Sequence, residues 1–120
     1  MRIVIDLDGT ISYLKQPNET YADVKIKEGA AEFIKNLRAN GHYVIIQTAR
    51  NMATCDSNMG KVLKNVGKIT LEWLDKNEVE YDEIFFGKPN GHLYIDDRAL
   101  RFENWNSLTE EKLNNLAKEK

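Results

Sequence analysis

The sequence predicts an α/β domain built on a largely parallel sheet, and two patterns predict it. Four short apolar runs, Ile3-Val4-Ile5, Tyr43-Val44-Ile45-Ile46, Ile84-Phe85-Phe86 and Leu93-Tyr94-Ile95, are β-branched or aromatic and nearly continuous. Such runs suit strands buried on both faces of a parallel sheet. Helical periodicity fills the intervals, which gives the order β-α-β-α-β-β-α.

The first run, preceded by Met1-Arg2, meets an acid at Asp6, too early for a signal peptide, so it reads as a strand. From Ile11 to Val24 the chain is turn-rich, with Tyr13, Pro17-Asn18 and Tyr21, and reads as a hairpin or flap. Ala30, Phe33, Ile34 and Leu37 fall at helical spacing, with Gly41 as the stop. After the second strand comes a polar stretch from Asn51 to Gly60. Val62, Val66, Ile69 and Trp73 then form a second helical stripe. At the end, Ser107-x-x-Glu110 has the form of a capping box ahead of Leu108, Leu113 and Leu116. Trp73 reads as core, and Trp105 as packing the last helix onto the body. His42 and His92 read as surface residues, and Cys55 as a plain thiol in a mobile loop.

Composition narrows the function classes. The chain has 120 residues, the length of a single domain over 1–120. With 42% hydrophobic and 30% charged residues it has the balance of a modest globular core. Its 17 Lys and Arg against 19 Asp and Glu leave a formal charge of −2. That balance gives no electrostatic footprint for nucleic acid or anionic lipid. One cysteine permits no intramolecular disulfide and suggests neither a zinc site nor an oxidising compartment. No run approaches membrane-spanning length. The expectation is a cytoplasmic protein with no nucleic-acid or membrane partner.

Chemistry is concentrated after the strands. The four runs lead into Asp6-Leu7-Asp8-Gly9-Thr10, Gln47-Thr48-Ala49-Arg50, Gly87-Lys88-Pro89 and Asp96-Asp97. In a parallel sheet these ends share one edge, where open α/β folds bind ligands. Four carboxylates, Asp6, Asp8, Asp96 and Asp97, would then crowd together with the ammonium of Lys88. Crowded like charges oppose one another's ionisation, and a divalent cation relieves the conflict. Oxygen-only ligands favour Mg²⁺, which also accepts a phosphate oxygen.

Roles follow from position. Asp6, fixed by the strand end, is the candidate nucleophile. Asp8, two residues on, is the candidate general acid and base. Gly9 lets the chain turn and lets substrate approach the backbone. The Thr48 hydroxyl can donate to a phosphoryl oxygen, with backbone N–H groups near Leu7, Asp8 and Ala49 completing the cradle. Lys88 can hold both Asp6 and the phosphate. Thr10, Tyr13, Lys15, Tyr21, Arg50 and Asn51 are candidate substrate contacts. Arg50 is equally readable as structural, and Arg98 reads as the partner of a nearby acid.

These motifs resemble those of the haloacid dehalogenase (HAD) superfamily of phosphatases. Asp6-Leu7-Asp8-Gly9-Thr10 matches the first motif, Thr48 the second, Lys88 the third and Asp96-Asp97 the fourth. The resemblance implies a three-layer Rossmann-like core with a mostly parallel sheet, a flap after the first strand, Mg²⁺, and phosphotransfer to Asp6. It also implies metal ligation by the Asp6 side chain, the Asp8 carbonyl and Asp96, with Asp97 in support. A finer likeness runs through Thr48-Ala49-Arg50-Asn51-Met52, Gly60-Lys61-Val62, Thr70-Leu71-Glu72-Trp73-Leu74, Gly87-Lys88-Pro89 and Tyr94-Ile95-Asp96-Asp97-Arg98-Ala99. It is similar to small bacterial phosphatases of capsule or polysaccharide biosynthesis, which implies a sugar or polyol phosphate substrate. Neither the flap nor the stretch after Arg50 is long enough for a cap domain. The expected site is therefore open, or closed by the flap or by a neighbouring subunit in a homo-oligomer.

Two other readings compete. A receiver-like signalling module also gathers acids, a Thr and a Lys at strand ends, but it carries its acid pair early and its Lys last, the reverse of the order here. A catalytically silent phosphosugar-binding protein would keep the fold and lose turnover. A phosphatase of nucleotide or nucleic-acid ends stays within the same chemistry, and the acidic balance argues mildly against it.

Overall fold

Three of the four apolar runs become strands in the computed structural model, which describes residues 1–119. They are β1 (Arg2–Asp6), β2 (Tyr43–Thr48) and β3 (Glu83–Phe86). The order across the sheet is β1-β2-β3 and both pairings are parallel. Ile3 lies opposite Val44, Ile5 opposite Ile46, and Ile46 opposite Ile84. Because side chains alternate along a strand, these residues share one face and join the main core.

That face is covered by helices. In α1 (Ala30–Ala39) the buried residues are Ala30, Ile34 and Leu37, the expected stripe. Gly29, just before α1, has φ +83°, and an added Cβ would meet the Trp105 side chain at 3.2 Å. Only glycine takes both the left-handed turn and the close approach without strain. The second stripe is one helical segment in three parts: α2 (Met59–Val62), a π-turn (Leu63–Gly67) and α3 (Lys68–Lys76). Asn58 starts it by accepting a hydrogen bond from the Lys61 N–H at 3.1 Å. Val62 and Val66 bury against Met52 and Cys55 in a small second cluster, whereas Trp73 and Leu74 bury in the main core. Cys55 therefore sits in a packed loop, not a mobile one.

The C-terminal part differs in detail from its expected form. Trp105 is buried in a short 3₁₀ turn between Phe33 and Phe102, with ring centroids 5.3 and 5.0 Å away. Its indole N–H donates to the Thr10 carbonyl at 2.9 Å. The last helix, α4, spans Glu110–Glu119. The capping box is not formed. Thr109 caps the helix by accepting from the Lys112 N–H at 3.1 Å. Glu110 instead reaches Asn40 Nδ2 at 2.6 Å and His42 Nε2 at 2.7 Å. These two partners hold its carboxyl below the usual range, His42 contributing most, so His42 is packed against Glu110 and is not a free surface residue. The flap over 11–24 is closed at its base by one antiparallel bridge, Ser12 with Ile26, and is otherwise turns.

The expected fourth strand is absent among the described residues. Residues 87–101 form neither helix nor strand. Leu93, Tyr94 and Ile95 are 72%, 48% and 93% exposed. A strand exists only when a neighbour takes up its backbone hydrogen bonds, and among the described residues β1 pairs with β2 alone and no strand lies along its other edge.

Candidate active site

The end of β1 is built by local geometry. Leu7, fully buried, extends the pairing by donating its N–H to the Gln47 carbonyl at 3.0 Å. Its own carbonyl accepts from the N–H groups of Thr10, Ile11 and Ser12 at 3.0–3.3 Å. That tight return needs a left-handed residue at its bend, and Gly9 provides it at φ +88°. Asp6 and Asp8 are thereby left at the strand end on either side of a buried leucine.

Each carboxylate has its own cation. Asp6 Oδ1 accepts from Lys88 Nζ at 3.1 Å, and its Oδ2 accepts from the Thr10 hydroxyl at 3.3 Å. Lys88 is positioned because its backbone N–H donates to the Thr48 carbonyl at 3.1 Å. Its ammonium also lies 4.3 Å from the centre of the Tyr94 ring. Asp8 Oδ1 accepts from Arg50 Nε at 2.8 Å and Oδ2 from the Thr48 hydroxyl at 2.8 Å. Thr48 Oγ1 in turn accepts from the Arg50 N–H at 3.1 Å.

Arg50 is the most enclosed charge of the site, only 3% exposed. Its Nη1 donates to the Thr70 hydroxyl at 3.1 Å, and its Nη2 is buried without a protein partner. The Tyr21 ring lies over it at 4.2 Å. Burial first, and then the charge of Asp8, raise the pKa of the Tyr21 phenol above its ordinary value, so this ring stays neutral at physiological pH.

The expected residues are therefore distributed unevenly. Asp6, Asp8, Thr10, Thr48, Arg50 and Lys88 come together, with Tyr21 as one wall. Three of the expected groups are engaged within the chain. Thr48 is fully buried and its hydroxyl donates to Asp8, a contact that orients that carboxylate. Arg50 likewise spends its guanidinium on Asp8, Thr70 and the Tyr21 face. The Leu7 N–H is tied into the sheet, which leaves the Asp8 and Ala49 N–H groups as the candidate cradle; among the described residues neither has a protein acceptor. Asn51 stands at φ +59° after Arg50, and its side-chain oxygen accepts from Asn65 Nδ2 at 3.4 Å. On the flap, Tyr13 is exposed beside Lys27, and Lys15 lies near the Tyr21 ring. Thr70 was missed. The available signal was a hydroxyl residue flanked by the buried stripe Val66, Ile69 and Trp73.

The fourth acid pair does not join the first. Asp96 and Asp97 are exposed on the 87–101 segment, and Asp96 Oδ1 accepts from the Arg98 N–H at 2.7 Å. Among the described residues no group of three or more His, Cys, Asp or Glu side chains could hold a metal ion. The donor chemistry at Asp6 and Asp8 suits a hard cation such as Mg²⁺, which is usually held by one or two carboxylates together with waters and substrate phosphate oxygens.

Comparison with known proteins gives three findings. A family model described as haloacid dehalogenase-like hydrolase matches residues 3–72, the stretch from β1 through Thr70. Among solved structures, a structural-genomics target from Vibrio cholerae is 39% identical, with a TM-score of 0.86 over 99% of this chain and 98% of that one. A chain of the Pnkp1/Rnl/Hen1 complex is 23% identical, with a TM-score of 0.53 over 78% of this chain and 30% of that one; that likeness concerns the fold alone. No curated protein matches the chain. Among the described residues no helix is long and apolar enough to cross a membrane.

Proposed function

This chain belongs to the haloacid dehalogenase-like hydrolase family, and within it we propose that the chain is an Mg²⁺-dependent phosphomonoester hydrolase. The observation that carries the reading is the Asp6–Lys88 contact of 3.1 Å at the end of β1, beside an Asp8 held from two sides. A nucleophile that attacks a dianionic phosphate needs a fixed position and a nearby positive charge. Asp6 has both.

The steps follow from these groups. An Asp6 carboxylate oxygen attacks phosphorus and the ester P–O bond breaks. Asp8 gives its proton to the departing oxygen. Water then loses a proton to Asp8 and attacks the phosphorus of the aspartyl-phosphate, which frees inorganic phosphate and restores Asp6. Lys88 offsets the charge on the phosphoryl oxygens throughout. Thr48 and Arg50 keep Asp8 pointed at the leaving group. Mg²⁺, when bound, adds Lewis-acid neutralisation of the phosphoryl oxygens.

The substrate we propose is a small sugar or polyol phosphate, of the kind consumed in surface polysaccharide biosynthesis. The balanced surface charge and the short flap support a small ligand over a polyanionic one. The test is a phosphate-release screen over sugar, polyol and nucleotide phosphates. Catalytic turnover of at least one sugar or polyol phosphate is expected, with EDTA stopping the reaction and added Mg²⁺ restoring it. Stoichiometric phosphorylation without turnover would favour the receiver-like reading, and binding without phosphate release the silent one. Undiminished release in EDTA would remove the metal from the proposal.

A further inference from the structure

The flap and the acid pair meet at one side chain. From Leu14 to Thr20 the flap closes its hydrogen bonds on itself. The Gln16 N–H donates to Glu19 Oε1 at 2.8 Å, and the Thr20 N–H and hydroxyl donate to Asp23 at 3.0 and 2.9 Å. Among the described residues no hydrogen bond ties 14–20 to the body. Tyr21 is where the flap reaches across. Its ring lies over the Arg50 guanidinium at 4.2 Å and packs against the small cluster of Met52, Cys55, Val62 and Val66. The Asn51 side chain sits beside the phenol oxygen.

Arg50 has more donors than acceptors. Its Nε meets Asp8 at 2.8 Å and its Nη1 meets Thr70 at 3.1 Å, but Nη2 is buried with no hydrogen-bond partner. A guanidinium has only donors to offer, and a buried donor without an acceptor is costly. The electron-rich face of an aromatic ring offsets that cost, and it attracts a cation best where water is excluded. The Tyr21 ring therefore completes the surroundings of the guanidinium. With the ring gone, Nη2 is drawn outward by hydration, and the guanidinium has reason to leave Asp8. Asp8 then keeps only the Thr48 hydroxyl, at 2.8 Å.

We propose that Tyr21 is a positioning residue for proton transfer: its ring, seated on Arg50, fixes the guanidinium, and the guanidinium fixes the Asp8 carboxylate against the leaving group. The flap thus aligns the general acid without this side chain touching substrate. This inference rests on the reading of Asp8 as the general acid and base. Chemistry distinguishes such a clamp from a substrate contact. Asp8 gives its proton to the departing oxygen as the ester P–O bond breaks. A misaligned Asp8 therefore slows a basic leaving group, which must be protonated, and spares one that departs as a stable anion. A wall that merely held substrate would affect both alike.

Matched substrates test it. Phenyl phosphate and p-nitrophenyl phosphate have similar shapes, but only the phenolate of the first is basic enough to need the proton. In Tyr21→Leu, which keeps an apolar side chain against Met52 and Val62, kcat/KM for phenyl phosphate should fall roughly 10- to 100-fold. The loss on p-nitrophenyl phosphate should be far smaller. Tyr21→Phe keeps the ring and should stay near wild type on both. Arg50→Lys keeps the charge but not the fork, and should reproduce the Leu pattern. Equal effects on the two substrates, or a Phe variant as impaired as Leu, overturn the proposal. A second readout is independent of turnover. The Arg50 Nε–H should give a slowly exchanging NMR signal in wild type and Tyr21→Phe, and lose that protection in Tyr21→Leu. Equal protection in Tyr21→Leu overturns the clamp. Should the wild type release no phosphate from either ester, the hydrolase reading fails separately, and the Arg50 signal still decides whether Tyr21 holds the guanidinium.

Discussion

The two acid pairs of this chain make an instructive contrast. Asp6 and Asp8 follow the apolar run Ile3-Val4-Ile5, and Asp96 and Asp97 follow Leu93-Tyr94-Ile95. By local pattern the two segments are nearly the same. The first is a strand whose acids are held by Lys88, Thr10, Thr48 and Arg50. The second is exposed, and its nearest structural commitment is a turn to Arg98. What separates them is a neighbour. β1 has β2 along its length, and residues 93–95 have no strand beside them. Strand character is completed by tertiary pairing, so equal sequence signals give unequal structures.

The contrast can be broken most forcefully at Asp6. In Asp6→Asn, phosphate release should fall by at least about 10³-fold, as for loss of a nucleophile, while the melting temperature stays close to wild type. Retained turnover would take the nucleophile away from this position.

Arg50 comes next, because it shows how firmly the first pair is held. Arg50→Ala removes a buried guanidinium from Asp8, Thr70 and the face of Tyr21. Breaking a buried pair costs on the order of 3 kcal/mol, which denaturant unfolding would read directly. A loss within 0.5 kcal/mol would mean that Arg50 does not anchor Asp8.

The second pair predicts the opposite balance. Asp96→Asn should lower turnover roughly 10- to 100-fold, a typical loss when a metal-supporting group is removed, with no change in the melting temperature of the body. A destabilised body would show that residues 87–101 pack on it.

The smallest effect lies far from both pairs and calibrates them. Arg38 donates to Asp82 at 2.9 Å, and the Val44 N–H does so at 2.8 Å. These partners, Arg38 foremost, hold the Asp82 carboxyl below its usual range. A carboxyl lowered on folding stabilises above the ordinary carboxylate range, and that contribution is lost as pH falls through the folded value. The melting temperature should therefore drop below about pH 4, and Asp82→Asn should flatten that acid limb. An unchanged limb would assign acid sensitivity to other groups.

Much of the site could be read in advance because its chemistry is local to strand ends. Asp6, Asp8 and Lys88 were placed by the rule that parallel strands end on one edge, and the contact between Asp6 and Lys88 follows from it. The contacts of Thr48 and Arg50 with Asp8 were beyond the sequence for one reason. A hydroxyl and a guanidinium after a strand look available for a ligand, and only the folded chain reveals that Asp8 already holds both. The 87–101 segment was misread because four apolar runs look alike in sequence, and only the folded chain reveals which of them take up a strand partner. Thr70 was legible only as a hydroxyl set beside the helical stripe, since nothing in that stripe announces a side-chain hydrogen bond to Arg50.

The π-turn Leu63–Gly67 is a place of slack in length. Its i→i+5 turn absorbs one residue more than an α-helical turn would. Deleting a single position there would let an unbroken α-helix form and leave everything downstream close to its present place. Removing Ile69 from the regular turns of α3 has no such slack: Thr70 would swing by about 100° away from the guanidinium it steadies, and Trp73 would leave the core along with its bond to the Val24 carbonyl. A one-residue deletion within Leu63–Gly67 should be tolerated, whereas one at Ile69 should be ruinous. The spacing of the residues is thus free in the π-turn and fixed in α3.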